Sequence, residues 1–155
     1  MLSILLAIGI IALDQLTKWL VLTRMVELSE IPVIPGFFSL QFVYNPGASF
    51  GMLKGQIWLF VIVAVGAVGA MLYFLREPEN RRGLVGWSLG LLMGGSIGNL
   101  IDRIRFREVV DFLLFYWRDY YFPNFNVADM AINVGVGLLI LHLVLTGEKS
   151  RHEKV

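Results

Sequence analysis

The chain has no cysteine. That excludes a disulfide, a thiolate nucleophile and any cysteine-ligated zinc or iron–sulfur site. Histidine is nearly absent too: only His142 and His152 occur, too few and too remote from the acidic residues to suggest a metal-ligand set. Charge is scarce, at 16% of residues where about a quarter is usual. The formal net charge of +1, without a clustered basic face, gives no footprint for nucleic acid. What remains is apolar. Hydrophobic residues make up 57% of 155 and the mean hydropathy is +0.70, which points to a membrane protein of one compact domain, 1–155.

Four apolar stretches approach the roughly 20 residues that span a bilayer as helix. They cover 2–22, 57–75, 84–101 and 127–145. The first lacks a basic leader region and runs on into Asp14-Gln15-Leu16-Thr17-Lys18, so it reads as a retained span, not a cleaved signal peptide. The short connection holding Arg76, Arg81 and Arg82 and the tail holding Lys149, Arg151 and Lys154 are dense in positive charge. The segments 23–56 and 102–126 carry as many cations in all, spread over greater length. Density therefore places both termini on the cytoplasmic side.

The two long segments are more than linkers. Residues 31–53 combine β-branched and aromatic residues with Pro and Gly, a pattern of short strands and turns. Residues 112–125 hold Phe112, Phe115, Tyr116, Trp117, Tyr120, Tyr121, Phe122 and Phe125, a density that suits the headgroup layer. The expected fold class is membrane all-α: four transmembrane helices, a small extracytoplasmic β-rich segment and an interfacial loop roofing the active site. In the third span Gly86, Gly90, Gly94 and Gly98 recur every four residues. Such a stripe reads as close helix packing.

Polar residues interrupt this pattern at few places: Asp14, Lys18, Asn45, Asn99, Asp102, Arg103, Asp111, Asn126, Asp129 and Asn133. All but Asn45 fall in a predicted helix or just beyond its end, and they converge near one membrane face. Ionisable groups at such depth are costly and mark a cavity or a partner. Each alone admits a structural reading. Asp129, three residues after Asn126, fits a helix N-terminus, and Asp14 with Lys18 fits an intrahelical ion pair. Arg103 beside Asp102 fits an interface anchor, and Asn45-Pro46-Gly47 fits a turn.

Taken in order, Asp14-Gln15-Leu16-Thr17-Lys18, Asn45-Pro46-Gly47-Ala48-Ser49-Phe50-Gly51, Gly94-Gly95-Ser96-Ile97-Gly98-Asn99-Leu100-Ile101-Asp102-Arg103, Val109-Val110-Asp111-Phe112 and Phe125-Asn126-Val127-Ala128-Asp129 resemble the motif set of the lipoprotein signal peptidase (signal peptidase II) family. The resemblance implies a multi-pass aspartyl endopeptidase of the bacterial cytoplasmic membrane, with its active site near the extracytoplasmic face. It implies Asp111 and Asp129 as the catalytic pair. Asn45, Asn99, Arg103 and Asn126 would bind substrate or support the pair, a supporting role extended here to Asn133. Asp14 and Lys18 would serve structure or positioning. The implied partners are diacylglyceryl-modified prolipoproteins and membrane lipid. No cofactor, metal or nucleic acid is expected.

Elementary electrostatics agrees with that implication. Two close carboxylates cannot both ionise cheaply, so the pair retains one proton near neutrality and can act as base and acid together. Competing readings are weaker. Gly94-Gly95-Ser96-Ile97-Gly98 satisfies the serine-hydrolase pattern, but inside a predicted helix and far from a histidine. The Gly-x-Gly-Asp tetrapeptide of another intramembrane protease type is absent. A small proton-coupled transporter, the remaining alternative, would show internal repeats and polar breaks at the membrane midplane.

Overall fold

The computed structural model describes residues 2–47 and 55–152, with side chains described as far as residue 146. Four helices form the body: α1 (Leu2–Arg24), α2 (Ile57–Phe74), α3 (Gly83–Phe106) and α4 (Val127–His152). All five prolines, at 32, 35, 46, 78 and 123, lie outside them, as expected of a residue that removes a helix hydrogen bond. Each helix is long and apolar enough to cross a membrane, the last over Val127–Thr146.

The packing is inverted relative to a water-soluble bundle. Leu5, Leu13, Ile62, Val65 and Leu143 are exposed, whereas Asp14, Lys18, Asn99 and Asp102 are buried. In lipid an exposed aliphatic side chain costs nothing, and a polar one must find its partners inside the protein. Helix α3 is the hub, touching α1, α2 and α4. Its glycine stripe packs within the chain. A Cβ on Gly94 would stand 2.8 Å from the Cβ of Ile10, and one on Gly98 would stand 2.6 Å from Asp14 Oδ2. Glycine at 98 therefore lets the α1 carboxylate reach the bundle interior.

At the bundle end opposite the chain termini sits a four-stranded antiparallel sheet in the order β1-β2-β3-β4. The strands are β1 (Glu30–Ile34), β2 (Phe38–Asn45), β3 (Val109–Trp117) and β4 (Tyr120–Tyr121). Strand β1 is fully exposed and carries Pro32, tolerated on an edge strand. Val21 of α1, Phe42 of β2 and Val110 and Phe112 of β3 form a buried cluster that seats the sheet on the helices. Phe125 bridges back to Leu113, which returns the chain to β3 before α4 begins.

Two expectations require correction. Helix α3 does not stop at 101 but continues to Phe106, where Arg107 turns the chain with φ 63°. Asp102 did not end the helix because its charge is answered inside the fold by Lys18, 2.8 Å away. The second concerns the aromatic segment 112–125, read as a roofing loop. Much of it is strand, and Asp111 lies on β3 rather than beside a helix end. Alternation had been masked because both faces of β3 are covered as far as Phe112, and such strands read as continuous apolar runs.

Candidate active site

Asp111 and Asp129 reach one cavity from different elements. Strand β3 pairs Val43 with Asp111 and Asn45 with Val109, so Asn45 at the end of β2 lies beside Asp111 and donates from Nδ2 to its Oδ2 at 2.8 Å. The same amide's Oδ1 accepts from Gly47 N at 3.0 Å. The Asn45-Pro46-Gly47 turn thus exists and also aims a donor at the carboxylate. Residues Ala48, Ser49, Phe50 and Gly51 of that motif lie outside the described residues.

Asn126 caps α4 in a reciprocal pattern. Its Oδ1 accepts from Asp129 N at 2.9 Å, and Asp129 Oδ2 accepts from Asn126 N at 3.2 Å. This is capping-box geometry. The cap is built into the site: Asn126 Nδ2 donates to Asp111 Oδ1 at 2.7 Å. From α3, Asn99 Nδ2 donates to Asp129 Oδ1 at 2.7 Å. Every carboxylate oxygen of the two aspartates therefore receives one N–H. Among the described residues no hydrogen bond joins the two carboxylates directly; the amides of Asn99 and Asn126 stand between them, linked at 3.0 Å.

Beneath the pair lies a buried ion cluster. Lys18 Nζ meets Asp14 Oδ2 at 2.9 Å and Asp102 Oδ2 at 2.8 Å, with side-chain exposures of 2%, 0% and 1%. Asp14 Oδ1 accepts from Ala128 N in the first turn of α4 at 2.9 Å, and Asp102 Oδ2 accepts from Val110 N of β3 at 3.2 Å. Three helices and the sheet are thereby joined through one cation. Removing one partner of such a buried pair costs about 3–5 kcal/mol, since the other charge is left without compensation. The i,i+4 pair expected from sequence is present, enlarged by Asp102 and by Gln15, whose Nε2 donates to Asp102 Oδ1 at 3.0 Å.

The cavity holds about 290 Å³ and is lined by Asn45, Asn99, Arg103, Asp111, Asn124 and Asp129 among polar groups. Arg103 is half-buried, with its guanidinium carbon 4.8 Å from the centre of the Phe60 ring and Nη2 donating to Gly47 O at 3.3 Å. It turns inward and is no interface anchor. Burial, reinforced by the negative charge of Asp129, pushes the Asp111 carboxyl up to about 7, against the opposing hydrogen bonds from Asn45 and Asn126. A proton is thus retained at this pair near neutral pH.

Of the residues singled out from sequence, Asn45, Asn99, Arg103, Asp111, Asn126 and Asp129 come together, with Asp14 and Lys18 directly below. Asn133 does not. It lies one turn beyond Asp129 on an exposed face of α4, outside the cavity lining. Asn124 and Phe60 line the cavity without having been singled out. Asn124 was hidden in the aromatic stretch and is placed by its own bonds to Gln41, at 3.0 Å to the backbone oxygen. Nothing local distinguishes Phe60 from its apolar neighbours on α2. Ser96 of the serine-hydrolase pattern sits inside α3 with no strand before it. Its neighbour Gly95 packs against Ala128 and Ile132, so His142 lies ten or more residues farther along α4, about 15 Å at 1.5 Å per residue.

The Signal peptidase (SPase) II family profile matches residues 6–145. The chain belongs to the signal peptidase II family. It is 64% identical over 149 residues to the lipoprotein signal peptidase of Symbiobacterium thermophilum, covering 96% of this chain and 98% of that one. It is 41% identical over 145 residues to the lipoprotein signal peptidase of Bacillus pumilus, covering 94% of each. Two solved structures of a bacterial membrane enzyme superpose on it. One has a TM-score of 0.88 at 34% identity, over 95% of this chain and 90% of that one. The other scores 0.82 at 35% identity, over 91% of each. Membership in a peptidase family leaves the transporter reading of the buried acids without support.

Proposed function

We propose that this chain is an aspartic endopeptidase of the bacterial cytoplasmic membrane that frees prolipoproteins of their signal peptides, cutting before a cysteine that carries a diacylglyceryl group. The observation that carries the reading is the convergence of two carboxylates, the buried Asp111 from a strand and the half-buried Asp129 from a helix, on a cavity at the sheet end of the bundle. With one proton on the pair, the ionised carboxylate takes a proton from a water molecule, and the water oxygen bonds to the scissile carbonyl carbon. The protonated carboxyl hydrogen-bonds the carbonyl oxygen. As the C–N bond breaks it delivers its proton to the departing amine. Arg103, with a planar set of donors beside the cavity, suits the backbone carbonyls of an extended substrate. The reaction needs neither metal nor cofactor.

Substrate approach is lateral in this reading. A second cavity of about 590 Å³ runs from the first toward the termini end, lined by Ala67, Ala70, Met71, Leu92, Ser96 and Leu139 among others. Ala67 and Ser96 border both cavities, so an apolar segment held in the lower one brings its end to the dyad. The arginine-bearing connection and both termini would face the cytoplasm, and the sheet would rest on the outer interface. The test is cleavage of a lipid-modified precursor by purified protein in detergent with Asp111→Asn and Asp129→Asn. Each should lose at least ~10³-fold in turnover while folding normally, and the double variant should be little worse. Near-normal turnover by either one would remove the dyad assignment.

A further inference from the structure

Lys18 takes part in none of these proton transfers, yet it lies one residue away from them. We propose that Lys18 is a positioning residue that fixes the Asn99 amide in the single orientation able to donate to Asp129. This rests on the reading of Asp111 and Asp129 as the dyad.

An ammonium group only donates. Lys18 Nζ has three close acceptors: Asp14 Oδ2 at 2.9 Å, Asp102 Oδ2 at 2.8 Å and Asn99 Oδ1 at 3.0 Å. Three protons meet three oxygens. The prong of Asn99 that faces Lys18 must therefore be its carbonyl, which sends Nδ2 the other way, to Asp129 Oδ1 at 2.7 Å. Asn126 Nδ2 presses the same choice by donating to Asn99 Oδ1 at 3.0 Å. Turning the amide over would set its NH₂ against a cation and a second NH₂, and its oxygen against a carboxylate. In a site where Lys18, Asn126 and Asp102 are almost fully buried, water cannot relieve those contacts. Asp14 and Asp102 hold the ammonium, the ammonium orients the amide, and the amide holds one carboxylate of the pair at a set angle to the cavity. The charged groups around Asp129 are then Asp111 from β3, Arg103 from α3, and Asp14 and Lys18 from α1.

The experiment is a double-mutant cycle on kcat for a lipid-modified precursor, per folded enzyme, with Lys18→Met, Asn99→Ala and the pair combined. If Lys18 acts through Asn99, each single variant falls about tenfold or more and the double is no worse than Asn99→Ala. Losses that multiply would overturn the proposal and leave Lys18 a purely structural ion. Lys18→Met strands two buried carboxylates, so Asn99→Asp serves as the second variant. It keeps an acceptor for Lys18 but replaces the donor facing Asp129, and it should fold with kcat at least about tenfold down. Unchanged kcat in that variant also overturns the proposal. Asp129→Asn separates the two levels. Activity there defeats the dyad itself, whereas an inactive Asp129→Asn with multiplying losses defeats only the positioning role.

Discussion

The two ends of the bundle are built on opposite plans. At the sheet end Asp14, Lys18, Asn99, Asp102, Asp111 and Asn126 are buried, and the cavity is walled by amides, a guanidinium and carboxylates. At the termini end the larger cavity is walled by Ala70, Met71, Phe74, Val85, Leu89 and Leu92, with Asn80 and His142 among its few polar groups. Apolar walls cannot orient a reacting atom but can take up a greasy segment from lipid, held by shape and close packing. Converging donors cost desolvation and give little binding, but they fix charge where it is needed. In the proposed reading one end holds and the other reacts.

The division of labour can be broken most sharply from the substrate side. A diacylglyceryl group anchors the precursor in the membrane at about 0.8 kcal/mol per methylene taken from water and so holds the scissile bond at the level of the cavity; precursor without lipid should be cut at least ~10²-fold less efficiently. Parallel assays of lipidated and unlipidated precursor decide this, and equal rates would mean that the apolar half contributes nothing to selection.

Next in size is Arg103. Arg103→Ala should lower kcat/KM by about 10–100-fold, the range for a donor aligned on a substrate carbonyl. Arg105, stacked over Phe106 outside the cavity, and the exposed Arg107 should change by less than about twofold when made alanine. Three variants compared at matched membrane abundance test the contrast. Similar activity in all three would leave the guanidinium outside the site.

A smaller effect should come from the holding end. Ala70→Trp places a large ring in the lower cavity, away from every polar group described at the dyad. KM should rise several-fold with kcat within about twofold, the pattern of lost uniform binding. A fall in kcat alone would show that the two halves are not separable.

The least effect is on stability. The Asp111 carboxyl is moved from 3.8 to about 7 in the folded protein. Between those values the folded state binds more protons than the unfolded one, so this group's contribution is full below pH 4 and fades as pH rises through 7. Thermal unfolding in detergent at pH 5 and pH 8 should show a smaller pH-dependent drop for Asp111→Asn than for the parent chain. Equal drops would contradict burial as the cause.

Much of this could be read from the chain. The four spans follow from apolar length alone, and the glycine stripe announced its close packing before Gly94 and Gly98 were found against α1. The pairing of Asp14 with Lys18 follows from helical spacing. The sheet was half legible: Phe38–Asn45 alternates, but β3 is covered on both faces as far as Phe112 and mimics an interfacial aromatic run. Asn133 looked like one more member of the polar set because periodicity gives a face without saying what that face meets.

Sequence alone thus determined the membrane class, the spans, the polar inventory and the family, because these depend on composition, length and order along the chain. Only the tertiary structure decided which polar groups share one cavity. Asp102 belongs to Lys18, Asn126 bridges a helix cap to Asp111, and Asn99 stands between a buried cation and Asp129, a bond spanning 81 residues of chain from Lys18. Such partnerships are set by where α1, α3, α4 and β3 cross. In a low-dielectric interior a polar atom takes whichever partner the crossing brings within reach, and no local pattern records that choice.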